Sequence, residues 1–297
     1  MALSQSQIEF YTANGYLVVE NLIDEVTLQR LRAAIDEFNE QSRQVTQSDD
    51  VFDVAPGHTA ETPKLRRIKH PTDQHPTFDA LMRAPLLVDL VADLLGGTVR
   101  FDHSKLNFKP PGGGAKIEWH QDWAFYPHTN DDLLAVGVMV EDCTPENGPL
   151  NVIPRSHRGP LYDHHDNGVF AGGIKPETLG GIADQAVELT APAGSISIHH
   201  VRTLHASSEN QSTLTRPLLL FSFAAVDAMP VFKAPDFEDF DSRILRGEPT
   251  LTARVTDVPI RLPFPKAEGE GSIFDNQAKL AASAQAGSGM ENRAGTT

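Results

Sequence analysis

Ile117-Glu118-Trp119-His120-Gln121-Asp122-Trp123 sets an imidazole and a carboxylate two positions apart, between aromatic neighbours. Alternate residues of a strand project to one face. The spacing therefore predicts a strand that sends His120 and Asp122 into an interior together and turns Gln121 away. An answering stretch follows, His199-His200-Val201-Arg202-Thr203-Leu204-His205-Ala206-Ser207-Ser208-Glu209-Asn210, with Arg216 eleven positions beyond His205. His205 would add a second imidazole from a neighbouring strand. Two histidines and one carboxylate cover one face of an octahedral metal and leave the other open, the ligand pattern of non-haem Fe(II) oxygenases. A 2-oxo acid would take two open positions and O2 the third. Arg216 offers the planar fork that the far carboxylate of such an acid needs.

His-x-Asp alone is a weak signal, and the chain carries another at His164-His165-Asp166. The company of the first pair sets it apart: aromatic flanks, His205 and Arg216. Further motifs stand in order around it. They are Lys105-Leu106-Asn107-Phe108-Lys109-Pro110-Pro111-Gly112 and Asn147-Gly148-Pro149-Leu150-Asn151-Val152-Ile153-Pro154-Arg155-Ser156-His157. Together these resemble the phytanoyl-CoA dioxygenase family over residues 5–225.

The resemblance implies a mainly β fold with flanking α-helices, a double-stranded β-helix or cupin-like jelly roll. It implies Fe(II) on His120, Asp122 and His205, with 2-oxoglutarate as co-substrate and O2 as oxidant; ascorbate is an expected stimulant. Arg216 and Ser207 would meet the distal carboxylate of 2-oxoglutarate. The strand bearing Lys105 and Asn107 would pass beside it, unless these two are a solvent-facing lysine and an edge asparagine. The expected reaction is hydroxylation or desaturation of a C–H bond in a small organic molecule, with release of succinate and CO2. Related halogenases have a small residue at the Asp122 position, so the carboxylate favours hydroxylation. The alternative is a non-catalytic or differently acting metal-binding jelly roll. Arg216 argues against it, because such proteins need no 2-oxoglutarate anchor.

Trp123, Phe125 and Tyr126 follow the metal pair and form either a substrate wall or a cover for the barrel mouth. Of His199 and His200, alternation lets only one face inward, and His200 is taken as a substrate contact.

The formal net charge of −15 makes polyanions poor partners, and no basic stripe suggests nucleic acid. No apolar run is long enough for a membrane span. The first residues lack a signal-peptide pattern, and Cys143, the only cysteine, excludes an internal disulfide. These point to a cytoplasmic enzyme of a small molecule, with no membrane or nucleic-acid partner; oligomeric state is not legible.

We expect one domain over residues 1–265, helical in 1–97 and jelly roll in 98–226. An extension, 266–297, is small and polar, with disorder expected from about 281. Ser4 with Gln7 reads as a capping box and Gly15 as a helix stop. Asp24 caps a helix that aligns Leu28, Leu31, Ile35 and Phe38. Residues 41–63 read as a loop, a candidate lid. Leu65-Arg66-Arg67-Ile68-Lys69-His70 is either a solvated edge or an anion-binding contribution near the site. Helical spacing runs unbroken over 77–95. Strands are expected at 16–20, 100–109, 133–141, 150–153, 187–189, 195–200 and 217–226, with a Gly- and His-rich insert at 161–181.

Overall fold

The computed structural model describes residues 3–112, 116–232, 235–261, 273–274 and 276–278. In chain order the elements are α1 (Gln5–Asn14), β1 (Tyr16–Val19), α2 (Glu25–Ser42), β2 (Phe52–Val54), β3 (Leu65–Lys69), α3 (Pro71–Gln74), α4 (Pro76–Met82) and α5 (Pro85–Leu94). Then come β4 (Val99–Lys109), β5 (Ile117–His120), β6 (Leu133–Met139), β7 (Leu150–Val152), β8 (His165–Asp166), β9 (Val169–Phe170) and α6 (Pro176–Leu179). β10 (Val187–Leu189), β11 (Ile196–His200), β12 (His205–Ser207), β13 (Arg216–Ala224), α7 (Phe237–Ser242) and β14 (Ile244–Arg246) complete the set.

Two antiparallel sheets form the jelly roll. The larger runs β1-β11-β6-β13-β4-β3-β2, with β14 on β4, and the smaller runs β10-β7-β12-β5. Period-two alternation gives the large sheet two different faces. Leu106 and Phe108 of β4, Val136 and Val138 of β6, Ile196 and Ile198 of β11, and Leu219 and Phe221 of β13 are buried with Leu31, Phe38, Phe78 and Leu90 of the helices. Burying each such side chain stabilises by about 1.5–3 kcal/mol. The opposite face carries Lys105, Asn107 and Lys109 of β4, His199 of β11, and Arg216, Leu218 and Leu220 of β13, and these line the interior pocket.

The N-terminal signals act as read. Ser4 and Gln7 cap each other at α1, and Gly15 ends it at φ 79°. The Asp24 side chain accepts from Thr27 N at α2. The expected single helix over 77–95 is two, because Pro85 cannot donate the backbone bond that a continuous helix needs there; it opens α5 instead, with Ala84 as cap. The expected loop 41–63 contains β2, which extends the large sheet by pairing Phe52 with Ile68. The insert 161–181 holds the β8–β9 hairpin and α6. Among the described residues no helix is long and apolar enough to cross a membrane.

Candidate metal centre

His120 ends β5 and stands directly opposite His205 of β12 in the antiparallel register. Their ring centroids are 4.0 Å apart. Each ring is oriented by a bond from Nδ1 to a carbonyl two residues back, Glu118 O for His120 and Thr203 O for His205, both at 2.8 Å. That leaves both Nε2 atoms unprotonated and turned to the same point. Asp122 Oδ1 lies 3.9 Å from His120 Nε2 and 3.8 Å from His205 Nε2. Among the described residues these three form the one group whose ligand atoms all lie within 4.8 Å of one another.

Asp122 reaches this point differently from the expectation. The strand stops at His120, and Asp122 opens a 3-10 turn through Ala124. Gln121, expected to face away, is buried and ties down the turn. Its amide donates to Arg202 O at 2.9 Å and Pro160 O at 3.2 Å, and its carbonyl accepts from Tyr162 N at 3.0 Å. Three tertiary bonds outcompete continued sheet pairing.

The electrostatics suit a divalent metal. Burial pushes the His120 imidazole down to about 4, and burial with His120 and His199 alongside holds His205 well below its ordinary value. Burial works to raise Asp122, but Lys105, His199 and His205 outweigh it and keep the carboxyl well below the usual range. Two neutral imidazoles and one carboxylate are the protonation states that metal ligation requires.

His199, not His200, faces this interior. Its Nε2 sits 3.4 Å from Asp122 Oδ2, and its ring centroid 4.3 Å from that of His205. The expectation for His200 was wrong: its ring lies tilted against that of His157, centroids 5.4 Å apart, and it accepts from Arg202 N, on the other face of β11. The register with β6, His199 opposite Ala135, sets that phase. Trp123 also lies away from the pocket. It packs with Leu133, Val201 and Ala225 and donates Nε1 to Pro259 O at 3.0 Å. Phe125 and His120 meet edge to face with ring centroids 5.7 Å apart, and Tyr126 meets His103 likewise at 4.9 Å. Burial and the neighbouring Asp122 hold the Tyr126 phenol well above its usual pKa, so it stays protonated.

The pocket beyond the triad is lined by Lys105, Asn107, Lys109, Ser207 and Arg216. Arg216 pairs across the ladder with Lys109. Its Nε donates to Asn147 O at 3.1 Å and an Nη2 to Gly148 O at 2.6 Å. Two of its five N–H donors are thus committed, and the fork is fixed before any ligand arrives. Gly148 permits the arrangement: at φ 80°, a Cβ there would lie 2.6 Å from Ser208 O. Lys109 was missed by the sequence reading, although it follows Lys105 and Asn107 in strict alternation. Set before Pro110-Pro111, it resembles a solvated strand end.

The second His-x-Asp pair is not assembled into a centre. Asp166 pairs with Lys175 at 2.7 Å in the β8–β9 hairpin, and His164 Nε2 accepts from Gln121 N at 2.8 Å. The extension after residue 265 was expected to bury little. Instead Ile273 and Phe274 line the pocket. Gln277 is buried, donating to Gly172 O at 2.7 Å and accepting from Glu118 N at 2.8 Å. The disorder expected from about 281 falls outside the described residues.

A jelly roll with this ligand set at its centre and a fixed arginine across the pocket defines the class of iron- and 2-oxoglutarate-dependent dioxygenases. The sequence profile of the phytanoyl-CoA dioxygenase (PhyH) family matches residues 11–218, and the chain belongs to that family. It is 34% identical over 278 residues to a probable alpha-ketoglutarate-dependent hypophosphite dioxygenase of Stutzerimonas stutzeri, covering 91% of this chain and 96% of the relative. An L-proline trans-4-hydroxylase of Streptomyces griseoviridis is 29% identical, over 74% of this chain and 86% of its own. The fold is that of EctD from S. alaskensis with bound Fe, at a TM-score of 0.67 and 24% identity, covering 86% of this chain and 88% of that one.

Proposed function

We propose that His120 Nε2, Asp122 and His205 Nε2 hold Fe(II), and that 2-oxoglutarate lies along β4 with its distal carboxylate on Arg216 and Ser207. The observation that carries this reading is that the three-ligand cluster and the fixed guanidinium line one pocket. When bound, iron and 2-oxoglutarate activate O2, releasing succinate and CO2 and supplying one oxygen atom to the substrate. The chain's own residues bind, orient and shield. Phe125 edges His120 on one side, and Ile273 and Phe274 cover the pocket on another, which limits water at the reacting centre. Ile273, Phe274 and Gln277 belong to the same catalytic unit on this reading, rather than to a separate tail.

The substrate is a small molecule. Relatives named for hypophosphite and L-proline support a substrate that fits wholly inside the cleft beside Asp122. The first of these names widens the expected C–H oxidation, since the oxidisable bond of hypophosphite is P–H. The direct test is succinate release from 2-oxoglutarate by the iron-loaded chain with ascorbate and O2. Turnover is expected even without substrate, at a slow uncoupled rate. An iron-loaded chain that releases no succinate would return the alternative of a differently acting jelly roll.

Lys109 makes 2-oxoglutarate binding pH-dependent. Burial, with Arg216 beside it, pushes the ammonium down to about 7. Below that pH the lysine is charged, donates to Ser208 O and sets a positive charge beside the place proposed for the dianion. Above it the lysine is neutral, and binding the dianion must draw a proton from solvent. Affinity is therefore expected to fall as pH rises past about 7, by up to about tenfold per pH unit. Calorimetry at about pH 8, in buffers of different ionisation enthalpy, should register proton uptake. Binding without uptake there would remove Lys109 from the anchor.

A further inference from the structure

Arg67 and Lys69 of β3 lie outside the residues assigned above to the metal and to 2-oxoglutarate. β3 pairs with β4 so that Arg67 stands opposite Asn107, and Lys69 opposite Lys105. Directly opposed residues of an antiparallel pair project to one face. Since Lys105 and Asn107 look into the interior, Arg67 and Lys69 continue that polar row outward along the same face. They reach a second cleft, of about 280 Å³, which meets the first at Lys105, Asn107 and Asp122. His70, His103, Tyr126 and Asn276 also line it.

The charge in this cleft is unlike that of the whole chain. Among the described residues its lining holds Arg67, Lys69 and Lys105 and one carboxylate, Asp122, within a protein of net charge −15; Arg67 is also ion-paired to the buried Asp53. Asp122 is the carboxylate that a divalent metal would neutralise. The buried Asp53, cross-strand from Arg67, approaches its Nη2 to 3.5 Å and fixes the arginine without lining the cleft. The Lys69 ammonium is steadied by Asp49 O. A cleft of one sign with low-dielectric walls concentrates ions of the other sign. Its volume falls just below the roughly 300–1,000 Å³ usual for drug-sized ligands, which suits only a small molecule.

We propose that this cleft binds the primary substrate through an oxyanion group, a carboxylate or a phosphorus oxyanion, held by Arg67, Lys69 and Lys105. The inference rests on the functional reading above and names the substrate class for that site. The oxidisable X–H bond points inward to Asp122, and Phe125 and Ile273 offer apolar surface to any carbon part. In the reaction X–H becomes X–OH. One atom of O2 enters that hydroxyl and the other enters succinate as 2-oxoglutarate loses CO2. The anionic group is not consumed, so it anchors substrate and product alike.

The test uses the anaerobic Fe(II)-loaded full chain with saturating 2-oxoglutarate, so that Arg216 is already occupied. The probes are hypophosphite, butyrate, uncharged butyramide and butyryl-CoA, read by paramagnetic relaxation of their phosphorus or proton resonances. At least one of the two small anions is expected to show saturable relaxation, and butyramide none. Arg67→Gln and Lys69→Gln should each raise the half-saturating concentration of that anion tenfold or more. Arg30→Gln, an exposed arginine on α2, should change it less than twofold, which separates a local contact from bulk charge. Two variants are needed because Arg67→Gln also loses Asp53. Equal relaxation of butyramide, no response to either anion, or unshifted saturation in both variants overturns the proposal. Tighter binding of butyryl-CoA than of butyrate also overturns it, by giving the cations to coenzyme phosphates. Failure of the functional reading shows differently, as a chain that takes up no Fe(II) or releases no succinate in air.

Discussion

Asp122→Ala is expected to lose both Fe(II) binding and succinate formation, while Asp166→Ala keeps its iron. Asp122 supplies the only negative charge in the three-ligand cluster, and its Oδ1 stands almost equally far from the two imidazole Nε2 atoms. Without it, two buried neutral imidazoles face a divalent cation with no anion to offset its charge. Removing a mere supporting contact to a metal ligand costs roughly 10–100-fold in affinity, and losing a ligand costs more. Asp166 offers the matched control, since it has the same local motif but pairs with Lys175 in a hairpin. Its side chain is only 11% exposed, so the substitution can cost stability, but it removes no member of the three-ligand cluster. Iron per chain and uncoupled 2-oxoglutarate turnover, measured for both variants, decide the matter. Iron lost by Asp166→Ala and kept by Asp122→Ala would sink the assigned centre.

Arg216→Ala is expected to weaken 2-oxoglutarate binding strongly while leaving iron in place. Truncating one partner of a buried charge-assisted pair costs about 2–5 kcal/mol, or roughly 30-fold to several thousand-fold in Kd. Lys109 remains in the pocket as a second cation and supports the lower part of that range. The alanine variant also drops the bonds to Asn147 O and Gly148 O, so the turn itself could shift. Arg216→Lys separates the two effects. It keeps the charge but not the fork, and should fall between wild type and Arg216→Ala. Calorimetric Kd values for 2-oxoglutarate together with iron content give the comparison. An unchanged Kd in Arg216→Ala would refute the anchor.

Local patterns made much of this architecture legible. Alternation in β4 and β13 and the caps of α1 and α2 rest on neighbours along the chain, whereas His120, His205 and Arg216, 85 and 11 positions apart, were linked by their ligand chemistry and by the family resemblance. The misreadings share a different origin. Gln121 ends β5 because Pro160, Tyr162 and Arg202 compete for its amide, and those partners lie roughly 40 to 80 positions away. Alternation restricts the inward histidine to one of two, but the register of β11 against β6 selects His199. Trp123 looked like part of a substrate wall only because it follows the metal pair; its indole is claimed by Pro259. In the extension, average composition hid Ile273, Phe274, Asn276 and Gln277, which reach the pockets or are buried among the described residues. Pro85 was the exception, a local signal overridden by a strong apolar period.

The smaller sheet has a further consequence. β5 is four residues long and lies at the margin of that sheet, with β12 as its one partner there among the described residues. The two imidazoles of the cluster are cross-strand partners in this short ladder, and the carboxylate follows in the next turn. A cation gripped by all three therefore clips the outermost strand to its neighbour, in the way a disulfide or a zinc ion staples a small domain. Because the unfolded chain offers no such preassembled grip, the clip stabilises the folded pairing by mass action, in proportion to the logarithm of free metal over its Kd. With the triad holding iron as proposed, the margin of the sheet is the part of the fold whose integrity would depend on iron supply.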